Sequence, residues 1–299
     1  MSLVNKLIIT VMPLIPKPIV WMVSKKYVAG SKLEDSVSTV KTLNDKGMVA
    51  TMDVLGESSH KKEECEEAVQ EYFDVLERID KEKLNCNISV KPTQLGMLID
   101  TDYCYENLKK IIDKAKHYNN FVRIDMEDAS VTAKTIDVFL RLQKEYDNTG
   151  IVLQAYLRRS LDDVKQLVKT RTNFRLCKGI YVEPRKIAYK DPQTVNDNFA
   201  LLIEEALSAG SYVGIATHDE RVTWHGLKTI HKLNLEKDQY EFQMLLGVDE
   251  ELRDILVKEG HRMRIYVPYG KQWHPYCMRR LKENPKIALY VAKAFFGIK

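Results

Sequence analysis

The sequence predicts a (β/α)8 barrel of the TIM type with an N-terminal helical arm, and three observations carry that prediction. Past residue 47 one pattern recurs: a short β-branched run ending in polar residues, then a charge-rich helical stretch. Strands that alternate with helices of this length form parallel sheets. The pattern recurs eight times, the number that closes a barrel, and such a unit usually takes about 250 residues. No glycine-rich phosphate loop follows the first strand, because Asp53-Val54-Leu55-Gly56-Glu57 lacks the GxGxxG spacing. That argues against an open dinucleotide-binding sheet.

The arm comes first and covers residues 1–46. Leu3 to Val23 is apolar-rich, but Lys6, Lys17, Pro13, Pro16 and Pro18 interrupt it. The uninterrupted run Leu7–Ile15 falls short of the roughly 20 residues that span a bilayer. No small-residue cleavage site follows it, so it does not read as a signal peptide. A helix pair packed on the domain and a segment that dips into a membrane surface both remain open.

The catalytic domain, residues 47–299, opens with candidate strands at Met48–Asp53, Ile88–Lys91, Phe121–Asp125 and Ile151–Ala155. It continues with Phe174–Gly179, Tyr212–Thr217, Tyr240–Met244 and Met263–Val267. Helical stretches between them include Lys61–Lys83, Asn107–Asn119, Ala133–Tyr146, Leu161–Lys169, Thr194–Ala209 and Asp249–Glu259. A Pro-Gly turn after the last strand leads into a final helix carrying Tyr276, Arg279, Arg280 and Glu283.

Composition narrows the function. With 44% hydrophobic and 29% charged residues the chain is ordinary globular material. A net charge of +4 without a basic-aromatic stripe argues against nucleic acid. Five scattered cysteines with no CxxC fit a reducing compartment and free thiols.

Barrel chemistry sits at the C-terminal strand ends. Those ends carry Lys91, Asp125 with Glu127, Gln154, Arg175 with Lys178, Thr217-His218, Gln243 and Tyr266. Glu283 follows Arg279 by four residues and Arg280 by three, so it can brace either guanidinium. A braced arginine pair suits a small carboxylate, because the planar fork binds it bidentately, although charged residues on a helix more often face water. Lys91 could serve as a Schiff-base lysine or pair with Asp125. His218 could ligate a metal, but no second His or Cys stands at ligand spacing. Many anion contacts without a metal or nucleophile suggest an organic cofactor that carries the reaction.

The stretches SVK (Ser89–Lys91), IDMED (Ile124–Asp128), LQAY (Leu153–Tyr156) and RLCKGIYVEP (Arg175–Pro184) resemble the proline dehydrogenase family. So do ATHD (Ala216–Asp219), EFQMLLG (Glu241–Gly247), RIYVPYG (Arg264–Gly270) and YCMRRLKEN (Tyr276–Asn284). The resemblance covers the chain from about Tyr27 onward and is nearest to the monofunctional bacterial branch. It implies FAD as cofactor, L-proline as substrate, Δ1-pyrroline-5-carboxylate as product and a membrane quinone as electron acceptor. It implies a cytoplasmic protein, with peripheral contact at the inner membrane face as one use for the arm.

By position, Arg279, Arg280 and Lys91 would hold the proline carboxylate, Glu283 would brace the arginines, and Tyr266 would pack on the ring. Arg175 and Asp125 would serve catalysis beside the flavin. Met126, Gln154, Arg175, Cys177, Lys178, Gly179, Ile180, Thr217 and His218 would contact the flavin, and Tyr181 would shape the site floor. Cys177, Ile180 and Asp219 depart from the family's usual valine, alanine and asparagine. Readings outside this family are a Schiff-base lyase working through Lys91 or Lys178 and a non-enzymatic carboxylate binder. A hydroxyproline or other cyclic imino acid oxidase would use the same machinery.

Overall fold

The computed structural model describes residues 17–283, with the side chains of residues 19, 23, 24 and 279–283 outside that description. Eight parallel strands close into one barrel in sequence order. They are β1 (Val49–Val54), β2 (Cys86–Val90), β3 (Val122–Ile124), β4 (Thr149–Gln154), β5 (Phe174–Cys177), β6 (Val213–Ala216), β7 (Tyr240–Leu245) and β8 (Met263–Tyr269). All eight expected strands are present, with ends moved by one or two residues.

The two-residue period of each strand divides its side chains between two surroundings. Met52, Ile88, Val90, Ile124, Ile151, Leu153, Phe174, Leu176, Ile215, Phe242, Met244 and Ile265 join the hydrophobic core shared with the helices. The alternate positions are in register around the barrel: Thr51 with Asn87 and Tyr266, Asp53 with Ser89, Ser89 with Arg123, Val152 with Arg175 and Gln243 with Arg264. These point inward, and most are polar. Barrel interiors usually pack branched apolar side chains. Here the lower layer is ionic instead: Arg264 donates to Glu241 (2.6 Å) and to Asn87 (2.9 Å), and Gln243 donates to Glu241 (2.6 Å). Gly214 makes room for this layer, since a Cβ there would lie 2.3 Å from Gln243 Nε2.

Outside the strands run α1 (Lys17–Ser24), α2 (Leu33–Asp45), α3 (Lys62–Lys81), α4 (Thr101–His117) and α5 (Thr132–Gln143). They are followed by α6 (Ser160–Leu167), α7 (Pro192–Ser208), α8 (Glu220–Leu233), α9 (Glu250–Lys258) and α10 (Trp273–Glu283). Aspartates set several starts by accepting from backbone N–H groups of the first turn. Asp100 caps α4, Asp191 caps α7 with Pro192 behind it, Asp219 caps α8 and Asp249 caps α9. The Asp100 cap starts α4 six residues before the expected Asn107. The apolar spacing alone had not indicated α8.

The arm is partly absorbed into the barrel. Val37, Val40 and Leu43 of α2 belong to the core, and α2 packs on both β8 and β1. It therefore takes the outer-ring place that a helix after β8 would fill. This leaves α10 to pack on α1, with Trp21 and Trp273 in edge contact at 4.7 Å, and to present Tyr276 to the mouth.

Candidate active site

The inward residues at the C-terminal strand ends surround a cavity of about 660 Å3. That volume lies within the roughly 300–1,000 Å3 typical of small-molecule and cofactor sites. Asp53, Lys91, Asp125, Gln154, Arg175, Cys177 and Tyr266 all reach it, together with Gly179 to Asp219 positions from the loops after β5 and β6.

A buried charge network forms one wall. Arg175 pairs with Asp125 Oδ1 and donates to Ser89 Oγ (3.0 Å), and Ser89 itself donates to Asp125 Oδ1 (2.7 Å). The Tyr266 hydroxyl donates to Asp125 Oδ2 (2.9 Å), while the Arg175 guanidinium lies 5.1 Å from the Tyr266 ring centre. Burial pushes the Asp125 carboxyl up, but Arg175, Lys91 and the Ser89 and Tyr266 hydrogen bonds together hold it below its ordinary range. The carboxylate stays ionised, and both its oxygens are engaged.

Lys91 makes the expected ion pair with Asp125 Oδ2, at 3.9 Å and too long for a hydrogen bond, but its closer partner is Asp53 near the end of β1. Lys91 Nζ also lies 3.5 Å from the Tyr266 hydroxyl. Asp53 is 1% exposed and was missed as a site residue. Its parity with Thr51, two residues earlier on the inward face of β1, is the sequence signal that marks it.

Glu127 lines the cavity, as its place at a strand end predicts, and also braces the turn after Lys91. It accepts from Thr93 N (2.8 Å) and Thr93 Oγ1 (2.5 Å) in the turn just after Lys91. Thr93 in turn accepts from Ser58 N and Ser59 N of the loop after β1. Burial raises the Glu127 carboxyl to about 7, and the Thr93 hydrogen bonds offset this only in part.

The opposite wall suits the implied flavin. Gln154 is 2% exposed; its Nε2 donates to Met126 O (3.1 Å), and its Oε1 is buried with no donor. An isoalloxazine edge carries an N–H of the kind that oxygen lacks. Gly179 adopts φ +99°, and a Cβ there would lie 2.1 Å from the Tyr156 ring, so only glycine lets this turn close. Lys178 pairs with Asp219 (2.6 Å), and both line the cavity. His218 Nε2 accepts from Leu245 N (2.8 Å), so that nitrogen is engaged within the fold. No cluster of metal-ligating side chains occurs among the described residues.

The structure therefore gathers Lys91, Asp125, Met126, Gln154, Arg175, Cys177, Lys178, Gly179, Ile180, Tyr181, Thr217, His218 and Tyr266 around one cavity. Arg279, Arg280 and Glu283 belong to α10, but their side chains lie outside the described residues. None of the five cysteines forms a disulfide.

A model of the family described as proline dehydrogenase matches residues 36–292. Proline dehydrogenase 1 of Bacillus subtilis (strain 168) is 36% identical over 270 residues, covering 90% of this chain and 89% of that protein. Proline dehydrogenase of Deinococcus radiodurans is 35% identical over 278 residues, covering 91% and 90%. Among solved structures, proline utilization A (PutA) from Bdellovibrio bacteriovorus inactivated by N-propargylglycine matches at TM-score 0.82 and 28% identity. That match covers 88% of this chain and 32% of the PutA chain, so the likeness is to about a third of the larger protein. The chain belongs to the proline dehydrogenase family of FAD-dependent flavoenzymes.

Proposed function

We propose that this chain oxidises L-proline to Δ1-pyrroline-5-carboxylate, the first step of proline catabolism. The observation that carries this reading is the convergence of Lys91, Asp125, Arg175 and Tyr266 in one buried cluster beside a wall suited to FAD. FAD, when bound, accepts at N5 the hydride that leaves the δ-carbon of proline. Binding and orienting the substrate fall to the chain's own groups.

Lys91 supplies a cation for the proline carboxylate, and Arg279 and Arg280, three and four residues after Tyr276, are assigned to clamp it. Glu283 is assigned to brace that pair. Tyr266, held by its bond to Asp125, packs on the ring and limits what fits at its far edge, which favours proline over hydroxyproline. Arg175, kept charged by Asp125, opposes the negative charge that develops during hydride transfer. Met126, Gln154, Cys177, Lys178, Gly179, Ile180, Thr217 and His218 are assigned to hold the cofactor. A quinone is the proposed acceptor that closes the cycle.

No helix among the described residues is long and apolar enough to cross a membrane. The arm is assigned to peripheral contact with the inner face of the membrane from the cytoplasm. Vesicle co-sedimentation of chains with and without residues 1–16 checks this, and equal binding by both would refute it.

The function is tested by an anaerobic absorption spectrum before and after L-proline. Bleaching of the flavin bands is expected. Bands indifferent to proline would move the substrate, with trans-4-hydroxy-L-proline tried next, and a protein that takes up no FAD would overturn the reading.

A further inference from the structure

Asp219 has two tasks, one for each carboxylate oxygen, and only one of them needs a charge. Oδ1 accepts from Arg221 N (3.0 Å) and Val222 N (3.2 Å) at the start of α8. Asp219 N donates to Thr217 Oγ1 (3.0 Å), which steadies the same turn. Serine, threonine or asparagine would cap a helix comparably. Oδ2 is left to accept from Lys178 Nζ (2.6 Å) and Asn196 Nδ2 (3.2 Å). A second acceptor oxygen that carries charge is what aspartate alone of those four residues supplies.

Three segments therefore meet at one oxygen. Lys178 follows β5, Asp219 follows β6 and Asn196 stands near the start of α7. Partial burial pushes the Asp219 carboxyl up, but Lys178, the Val222 N–H and Asn196 more than offset it and keep it ionised at neutral pH. The pair is the one ion pair that either residue makes among the described residues. With side chains 36% and 30% exposed it adds little to stability. Both residues line the cavity, so the pair acts on whatever that cavity holds. Uptake of a hydride brings two electrons and one proton, and so leaves one more negative charge there. A carboxylate on the wall opposes that charge and an uncancelled ammonium favours it, and these signs do not depend on distance.

We infer that Asp219 is a positioning residue that tethers Lys178 to the wall and cancels its charge, and so holds the potential of bound FAD below the value that Lys178 alone would set. A lower potential favours passage of the electrons onward to the acceptor. The inference rests on the proposed assignment of Lys178 and its neighbours to FAD, and its test is independent of proline.

The midpoint potential of the FAD-loaded wild type and of Asp219→Asn is measured by anaerobic reduction against a reference dye, with no proline present. Asparagine keeps an oxygen for the cap and removes the charge. A unit charge about 10 Å away, at an effective dielectric near 20, shifts an equilibrium roughly tenfold. For a two-electron couple that is about 30 mV. The potential of Asp219→Asn should rise by that amount, Lys178→Gln should lower it, and the double variant should return near the wild type. Loss of a merely structural contact would lower the melting temperature and leave the potential where it was. An FAD-loaded Asp219→Asn protein with an unchanged or lower potential overturns the inference, as does a double variant that keeps the full rise. If Asp219→Asn fails to fold, Asp219→Ser, which also caps, is read by the same criteria. A shifted potential in a protein whose flavin proline does not bleach would strike the proposed function and uphold this inference. An unshifted potential in a protein that proline does bleach would do the reverse, and a wild type that takes up no FAD would overturn both.

Discussion

Replacing Glu127 by glutamine removes a buried titration that the structure allows to be quantified. Its carboxyl rises from 4.5 to about 7, chiefly through burial. The folded protein thus binds more protons than the unfolded chain between those values, so stability falls as pH rises through that window. Holding the ionised form costs, above pH 7, about 2.5 pKa units at 1.36 kcal/mol each, or about 3 kcal/mol. Glutamine keeps a carbonyl oxygen for Thr93 N and has no proton to lose. Urea unfolding of the flavin-loaded protein at pH 5, 6, 7 and 8 reads the difference through the midpoint at constant m. The wild type should lose about 2.5 kcal/mol more than Glu127→Gln across that range, with the divergence concentrated between pH 5 and 7. Parallel curves would refute the assignment of a raised carboxyl to Glu127. Wild-type stability that rises relative to the variant would refute its sign.

Two further outcomes test the cavity walls. Tyr266→Phe leaves Asp125 Oδ2 without its donor, a loss of about 1–3 kcal/mol that should appear as a roughly ten- to hundredfold fall in kcat/KM for L-proline. An unchanged value would show that the hydroxyl has no role. Gly179→Ala forces a Cβ against the Tyr156 ring at a left-handed turn, so the purified protein should carry substoichiometric FAD and melt lower. Full flavin content with an unshifted melting temperature would refute the close-approach argument.

The barrel was legible because its signal is repetitive. Eight strand-helix units each bury one side of a strand, and a boundary error of one or two residues does not change the topology. The site was legible only where a polar side chain interrupts an apolar run at a strand end, as at Lys91, Gln154 and Arg175. Asp53 closes the expected first strand, but no motif beside it sets it apart from other polar residues, and its partner Lys91 stands on another strand. Its role depends on the closure of β1 onto β2 and β8, which sets Asp53 beside Ser89 and Pro268, 36 and 215 positions away, a contact that no local pattern encodes. The helix α8 escaped because its start is set by the Asp219 cap and not by apolar spacing. The same aspartate holds Lys178, which ties a helix start to the cofactor wall.

Lys91, Arg175 and Lys178 stand at the strand ends, and their number alone would predict an attraction for anionic ligands. The structure places that attraction elsewhere. Lys91 is matched by Asp53, Arg175 by Asp125 and Lys178 by Asp219, so these cations are neutralised pair by pair. Two of the three pairs are deeply buried, where breaking a pair costs about 3–5 kcal/mol because one charge is left uncompensated. Such pairs add little net field, but they fix where each donor points before a ligand arrives. A substrate carboxylate proposed to bind here would meet a wall that need not reorganise, which is the condition under which fixed charges aid a reaction most. The mouth is therefore selective through the geometry of its paired cations, not through their number.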